Sequence, residues 1–267
     1  MPKWHRNARC WLRKKNRWWT RNGDASMSQL IKQAMDYYRH GNFGAAVDCL
    51  DHVLTHRPRD AEALELRGVI HRATGRFEVA IIALETAQDV RPLSCTARLA
   101  LADCYCVCGR AESARSIYQD LSELPNLPCH LLSDVAAGAA RVGDYGVALG
   151  VCQTALKREP GSDQALYGVV FYMSKAGLPA VEILPLARQL MEQAPGVFLY
   201  RVAVVTLLES LDDLVAGYLV IADATPAELR SLECACCVQR LMKLYGEFGD
   251  ATRAEMCRLQ LAALPSS

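Results

Sequence analysis

The chain has 267 residues, 51% of them apolar and 22% charged, with 30 basic against 29 acidic side chains. This composition excludes a disordered, collagen-like or polyelectrolyte chain, and the length suits one large domain or two small ones. The charge balance averages two unlike parts: residues 1–22 take eight of the basic side chains and no acid, leaving 22 basic against 29 acidic in the remainder.

Residues 1–26 form a basic leader that also holds all four tryptophans, Trp4, Trp11, Trp18 and Trp19. It lacks the apolar stretch of a secretory signal. No run in the chain reaches the roughly 18 apolar residues of a membrane span; Leu214–Ala222, among the longest, is ended by Asp223. Three readings of the leader stand open. It is an arm for nucleic acid or an anionic membrane surface, with Lys and Arg on phosphate and Trp stacking; or a flexible arm without a ligand of its own; or a mis-assigned start, the protein proper beginning at Met27, where the composition breaks. Nucleic acid or membrane is expected as a partner only if the leader is genuine. Twelve cysteines without an export signal point to reduced thiols and a cytoplasmic location.

From Met27 onward the chain is periodic. Gly41, Gly75, Gly109, Gly143 and Gly177 follow one another at steps of 34 residues, with Gly249 two longer periods on. Ala46, Ala80, Ala114 and Ala148 keep the same step, as do Pro58 and Pro92, and Pro160 follows two periods later. Each period reads as two helices and a tight turn. Between Ala61 and Ser94, Leu64, Gly68 and His71 share one face of a first helix. Gly75 suits a helix end that needs positive φ, Phe77, Ala80, Leu84 and Ala87 mark a second helix, and Pro92 closes the unit. The small residues at Gly68 and Ala80 let the two helix axes approach closely. Thr225-Pro226-Ala227-Glu228 predicts a capped helix start.

In the first unit the repeating positions are Leu30, Ala34, Tyr37, Gly41, Ala46, Leu50, Val53 and Pro58; in the third, Leu101, Ala102, Tyr105, Gly109, Ala114 and Tyr118; in the fourth, Leu132, Ala136, Gly143, Ala148, Ala155 and Pro160. This pattern resembles the tetratricopeptide repeat family over about 27–197 and again over about 232–265. Arg67 and Arg98 depart from it at apolar slots, Pro185 falls inside a second helix and should kink it, and 198–231 lacks the turn glycine. The resemblance implies an all-α fold, a right-handed α-solenoid of about six to seven stacked antiparallel helix pairs. Its units are about 27–60, 61–94, 95–128, 129–162, 163–197, a degenerate 198–231, and 232–265. Arg253, Glu255, Arg258 and Gln260 of the last helix are expected to cover the end of the core.

Catalytic signatures are absent from the sequence: no G-x-x-x-x-G-K, G-x-G-x-x-G, G-x-S-x-G or H-E-x-x-H occurs. No enzyme activity, metal or cofactor is therefore expected. Cys49, His52 and His56 lie along one helix side at i, i+3 and i+7, without a clear fourth ligand. Cys104, Cys106 and Cys108, like Cys234, Cys236 and Cys237, are expected to pack as small hydrophobes between helices.

The resemblance also implies a concave groove formed by the first helix of each unit. Its positions are Ile31, Met35, Tyr38 and Arg39; Glu62, Glu65, Val69 and Arg72; Leu99, Asp103 and Cys106; His130, Ser133, Ala137 and Arg141; and Tyr167 and Phe171. The lysine/asparagine carboxylate clamp of chaperone-binding family members is missing, because Ile31, Met35, Leu66, Thr96 and Ala100 stand where it would be. What remains suits a peptide or helix of another protein, held by apolar anchors with Arg39, Arg72 and Arg141 for an acidic flank. Equally, Met35, Tyr38, Tyr167 and Phe171 can pack between repeats. The expected function is a non-catalytic interaction scaffold or adaptor, with a chaperone for an exported or membrane-associated client as the alternative. A homodimer through the C-terminal repeats is a further possible assembly.

Overall fold

In the computed structural model, residues 26–264 are described; the leader's readings concern residues that lie outside this range up to position 25. All the regular structure described is helical: fifteen helices and no strand among the described residues. Two compact units divide the chain after Leu127.

The first unit contains α1 (26–39), α2 (Phe43–His56), α3 (Ala61–Ala73), α4 (Phe77–Gln88), α5 (Cys95–Val107) and α6 (Ala111–Ser122). These are three helix pairs at the 34-residue step. Side-chain oxygens of Asn42, Asp60 and Ser94 accept the first free N–H groups of α2, α3 and α5, which fixes where each helix begins. Each turn closes in the same way. After α3 the N–H of Gly75 donates to Arg72 O and that of Arg76 to His71 O, with Gly75 at φ +74°. That is the paired C-terminal bonding which needs a left-handed residue between the two donors. The alanines of the ladder, Ala46, Ala80 and Ala114, are wholly buried. Gly68 meets Leu84 so closely that a Cβ there would overlap the leucine side chain, so the axes of α3 and α4 approach as the small residues require. The core of this unit runs from Ile31 through Leu50, Ile70 and Leu84 to Leu101 and Cys104.

The second unit contains α7 (Cys129–Arg141), α8 (Tyr145–Arg158), α9 (Asp163–Lys175), α10 (Ala180–Gln193), α11 (Phe198–Ser210), α12 (Leu214–Ile221), α13 (Pro226–Arg230), α14 (Ala235–Glu247) and α15 (Ala251–Ala263). Four pairs alternate as before, with the short α13 inserted before the last. Its start is the capping box expected at Thr225 and Glu228. α10 continues through Pro185 as one fourteen-residue helix. Of the polar residues expected to cover the end of the core, Arg253 Nε donates to Ala224 O and Gln260 Nε2 to Leu232 O, at 3.0 and 2.9 Å, while Arg258 pairs with Glu255.

The degenerate pair keeps the turn without its glycine. After α11, Asp212 stands at φ +58°, its N–H donating to Glu209 O while that of Asp213 donates to Leu208 O. These are the same two bonds as at Gly75, so the chain demands a left-handed residue and aspartate supplies it at a steric cost. Asp212→Gly is therefore expected to raise stability, by less than the roughly 1–2 kcal/mol that a left-handed L-residue costs because aspartate tolerates that region, and Asp212→Val to lower it. Urea midpoints of the two variants should fall on opposite sides of the parent; a shared direction would show that the turn does not limit stability.

Candidate functional site

In the first unit the apolar positions expected to line a groove are buried or half-buried. Ile31, Val69 and Leu99 are buried; Ile31 and Val69 belong to the core cluster. Met35 and Tyr38 are half-buried against the same cluster, and Tyr38 packs on Phe43 with ring centres 5.9 Å apart. Asp103 is only 5% exposed. Its two carboxylate oxygens accept from the Arg72 guanidinium on α3 and, at 2.7 Å, from the Tyr118 hydroxyl on α6. Arg72 thus serves an ion pair within the unit, with its side chain 41% exposed. Arg39 pairs with Asp36 on its own helix at 3.3 Å. Of the positions expected to line a groove here, the apolar ones are spent on the core and Asp103 and Arg72 on one another.

The second unit differs. A cleft of about 550 Å³ lies among α7, α8 and α9, and Tyr167 and Phe171 both line it, together with His130, Ser133 and Tyr172. The rings form a connected group. Tyr167 stands 6.1 Å from Phe171 and 5.4 Å from Tyr200, and Phe171 meets Tyr172 edge-on at 5.2 Å. Tyr200 donates to Asp163 Oδ2 at 3.0 Å, which fixes its ring behind Tyr167. Phe171 keeps 40% of its surface exposed, with Lys175 Nζ 5.6 Å from its ring centre. Arg158 and Glu159 add charge to the lining. Arg141 is exposed on α7 but is not among the lining residues. Gly168 also lines the cleft; a Cβ there would meet Cys152 Sγ at 2.6 Å, so this floor is closed by a helix contact that only glycine permits.

Burial pushes the Tyr167 phenol up, with a further contribution from thiolate charge at Cys237, Cys234 and Cys236. The cysteines at the start of α14 therefore sit within electrostatic reach of the aromatic group. Sequence reasoning found Tyr167 and Phe171 but not Tyr172 and Tyr200.

The cysteines divide. Cys104 is buried, as a packing role requires, but Cys234 and Cys236 are exposed, which overturns the expectation that they pack between helices. Cys49, His52 and His56 are not gathered into a ligand group; the His56 ring nitrogen Nδ1 lies 2.9 Å from His52 O instead. Val215 and Leu219 of α12, at 60% and 67% exposed, lie in the apolar run Leu214–Ala222. Among the described residues no helix is long and apolar enough to cross a membrane.

Stacked helix pairs joined by left-handed turns at a 34-residue step define a helical-repeat protein. Residues 31–89 and 71–128 each match the family model described as tetratricopeptide repeat, so residues 31–128 carry tetratricopeptide repeats. No curated protein matches the chain. Solved structures do. A tetratricopeptide repeat protein from Parabacteroides merdae is 17% identical with a TM-score of 0.65, covering 91% of this chain and 94% of its own. The C-terminal part of a repeat-containing protein from Cytophaga hutchinsonii is 11% identical with a TM-score of 0.62, covering 88% and 95%. PilW, a type IV pilus biogenesis factor, is 15% identical with a TM-score of 0.57, covering 77% and 93%. At these identities the likeness is one of fold.

Proposed function

We propose that the protein is a non-catalytic interaction scaffold that holds a peptide or helix of a partner protein in the cleft of the second unit. The observation that carries this reading is the aromatic group of Tyr167, Phe171 and Tyr172 at a cleft of about 550 Å³, with Phe171 left 40% exposed. An exposed aromatic beside a concave, mostly apolar surface is the anchor that hot-spot binding uses. His130, Ser133 and Arg158 supply the few polar groups that orient a bound segment. The tetratricopeptide fold supports the same class, because stacked pairs present extended binding surfaces and the sequence carries no catalytic signature.

The test is a pull-down with the full chain as bait beside a Phe171→Glu, Ser133→Glu double variant, both sites being exposed. Helical circular dichroism should be unchanged. Recovery of the specific partner is expected to fall roughly 10- to 30-fold, the effect of losing one aromatic anchor. An Arg39→Ala bait, altered in the first unit, should recover it fully. Equal recovery by the parent and the double variant would place binding elsewhere. One client held in equal amount would mark a dedicated chaperone rather than an adaptor.

A further inference from the structure

Among the described residues one group of three metal-capable side chains converges: Cys234, Cys236 and Cys237, their sulfurs all within 4.8 Å of one another. Local structure explains the convergence. α14 begins at Ala235, so Cys234 occupies the cap and Cys236 and Cys237 the first turn. A cap residue is turned back over that turn, which brings its side chain to those of the second and third helical positions. Cys104, Cys106 and Cys108 are evenly spaced but lie within α5 and at its end, and they do not gather.

We infer that Cys234, Cys236 and Cys237 form a three-thiolate binding site for a thiophilic d10 metal ion of the Zn²⁺ type. Zn–S bonds of about 2.3 Å in tetrahedral geometry put sulfurs about 3.8 Å apart. The Cys234 and Cys236 sulfurs stand 2.6 Å apart and all three lie within 4.8 Å of one another, close to the separation that such an ion requires. Two of the three cysteines are exposed, which gives the ion a way in. The helix start favours thiolate as well. Asp213 and Asp250 cap α12 and α15 with a carboxylate, whereas α14 has no side-chain cap bond. Its N-terminal N–H groups and dipole therefore face Cys234, where negative charge is favoured. Metal binding displaces the thiol protons. Three S–H bonds are lost and three S–metal bonds form, three protons pass to solvent, and no electron is transferred. The fourth tetrahedral position stays open to water or to a donor from a bound partner.

The full chain, reduced with a phosphine in the absence of air, is titrated with Zn²⁺ against a chromophoric chelator, and with Cd²⁺ to read thiolate charge-transfer absorption. One equivalent is expected to bind more tightly than about 1 μM, and more tightly as pH rises, because protons are released. Cys234→Ser with Cys236→Ser should weaken binding at least about 100-fold, since one thiolate remains of three. Cys106→Ser with Cys108→Ser should leave it unchanged, and both variants should keep the parent's circular dichroism. Equal weakening in the two variants, or a parent that retains no Zn²⁺ against the chelator, would overturn the site. The outcome is independent of the cleft variant, which alters no cysteine.

Discussion

Arg72→Met is expected to destabilise the first unit by about 2–3 kcal/mol. Asp103 is buried, and the guanidinium of Arg72 supplies its counter-charge. Removing that partner leaves a carboxylate in a poorly solvated place, a change that costs about 3–5 kcal/mol when burial is complete. Here the loss is placed lower, because the Arg72 side chain is 41% exposed and Tyr118 still donates to the carboxylate at 2.7 Å. Burial and the adjoining Asp103 carboxylate push the Tyr118 phenol up, so the hydroxyl remains a donor across the accessible pH range. Replacing all three groups, Arg72→Met with Asp103→Leu and Tyr118→Phe, should recover most of the stability, because the desolvated charge goes with its partners. Urea unfolding followed by helical circular dichroism measures both. A triple variant no more stable than Arg72→Met alone would show that packing around α3, α5 and α6, rather than the ion pair, sets the loss.

The same network shows where the sequence stops being informative. The turns were legible because a left-handed backbone leaves few choices: Gly75 and Gly109 have φ of +74° and +76°, and their spacing alone reveals the helix pairs. The small residues Ala46, Ala80 and Ala114 were legible for a similar reason, since close helix approach admits little else. Asp212 was hidden because aspartate also visits the left-handed region, so the sixth turn has the geometry of the others without their residue. The groove fared worse. A helical period assigns Ile31, Val69 and Leu99 to a face, but it does not say how many neighbouring helices crowd that face. In the first unit that face is filled; in the second, Tyr167 and Phe171 share theirs with a cleft. Cys234, Cys236 and Cys237 turned on a single boundary. With α14 starting at Ala235 they share one helix start, whereas inside a helix Cys234 and Cys237, at i and i+3, would share a face that Cys236 does not.

His71→Leu is expected to stabilise the protein and to flatten part of its acid sensitivity. His71 is 3% exposed in the last turn of α3, and neither ring nitrogen has a hydrogen-bond partner. Burying such groups unpaired costs about 1–3 kcal/mol. A leucine of similar volume removes the unpaired polar atoms but must repack at the site, which recovers part of that, so the variant should gain about 1 kcal/mol at pH 8. The backbone carbonyl of residue 71, which accepts from Arg76 N–H in the turn, is untouched. Burial lowers the His71 pKa, the charges of Arg67 and Arg76 lower it further, and Asp51 opposes them. The sign follows. Above about pH 6.5 the ring is neutral in both the folded and the unfolded chain. As pH falls below that value the unfolded chain takes up a proton that the folded chain refuses, so the unfolded state gains and stability declines until the lowered pKa is reached. The other five histidines are common to both proteins, so the parent-minus-variant difference in unfolding free energy isolates this residue. That difference should grow from pH 7 to pH 5 in favour of His71→Leu. A difference that stays constant across this range would mean that His71 is protonated as readily in the fold as outside it, and that its ring is hydrated by opening of the α3 turn.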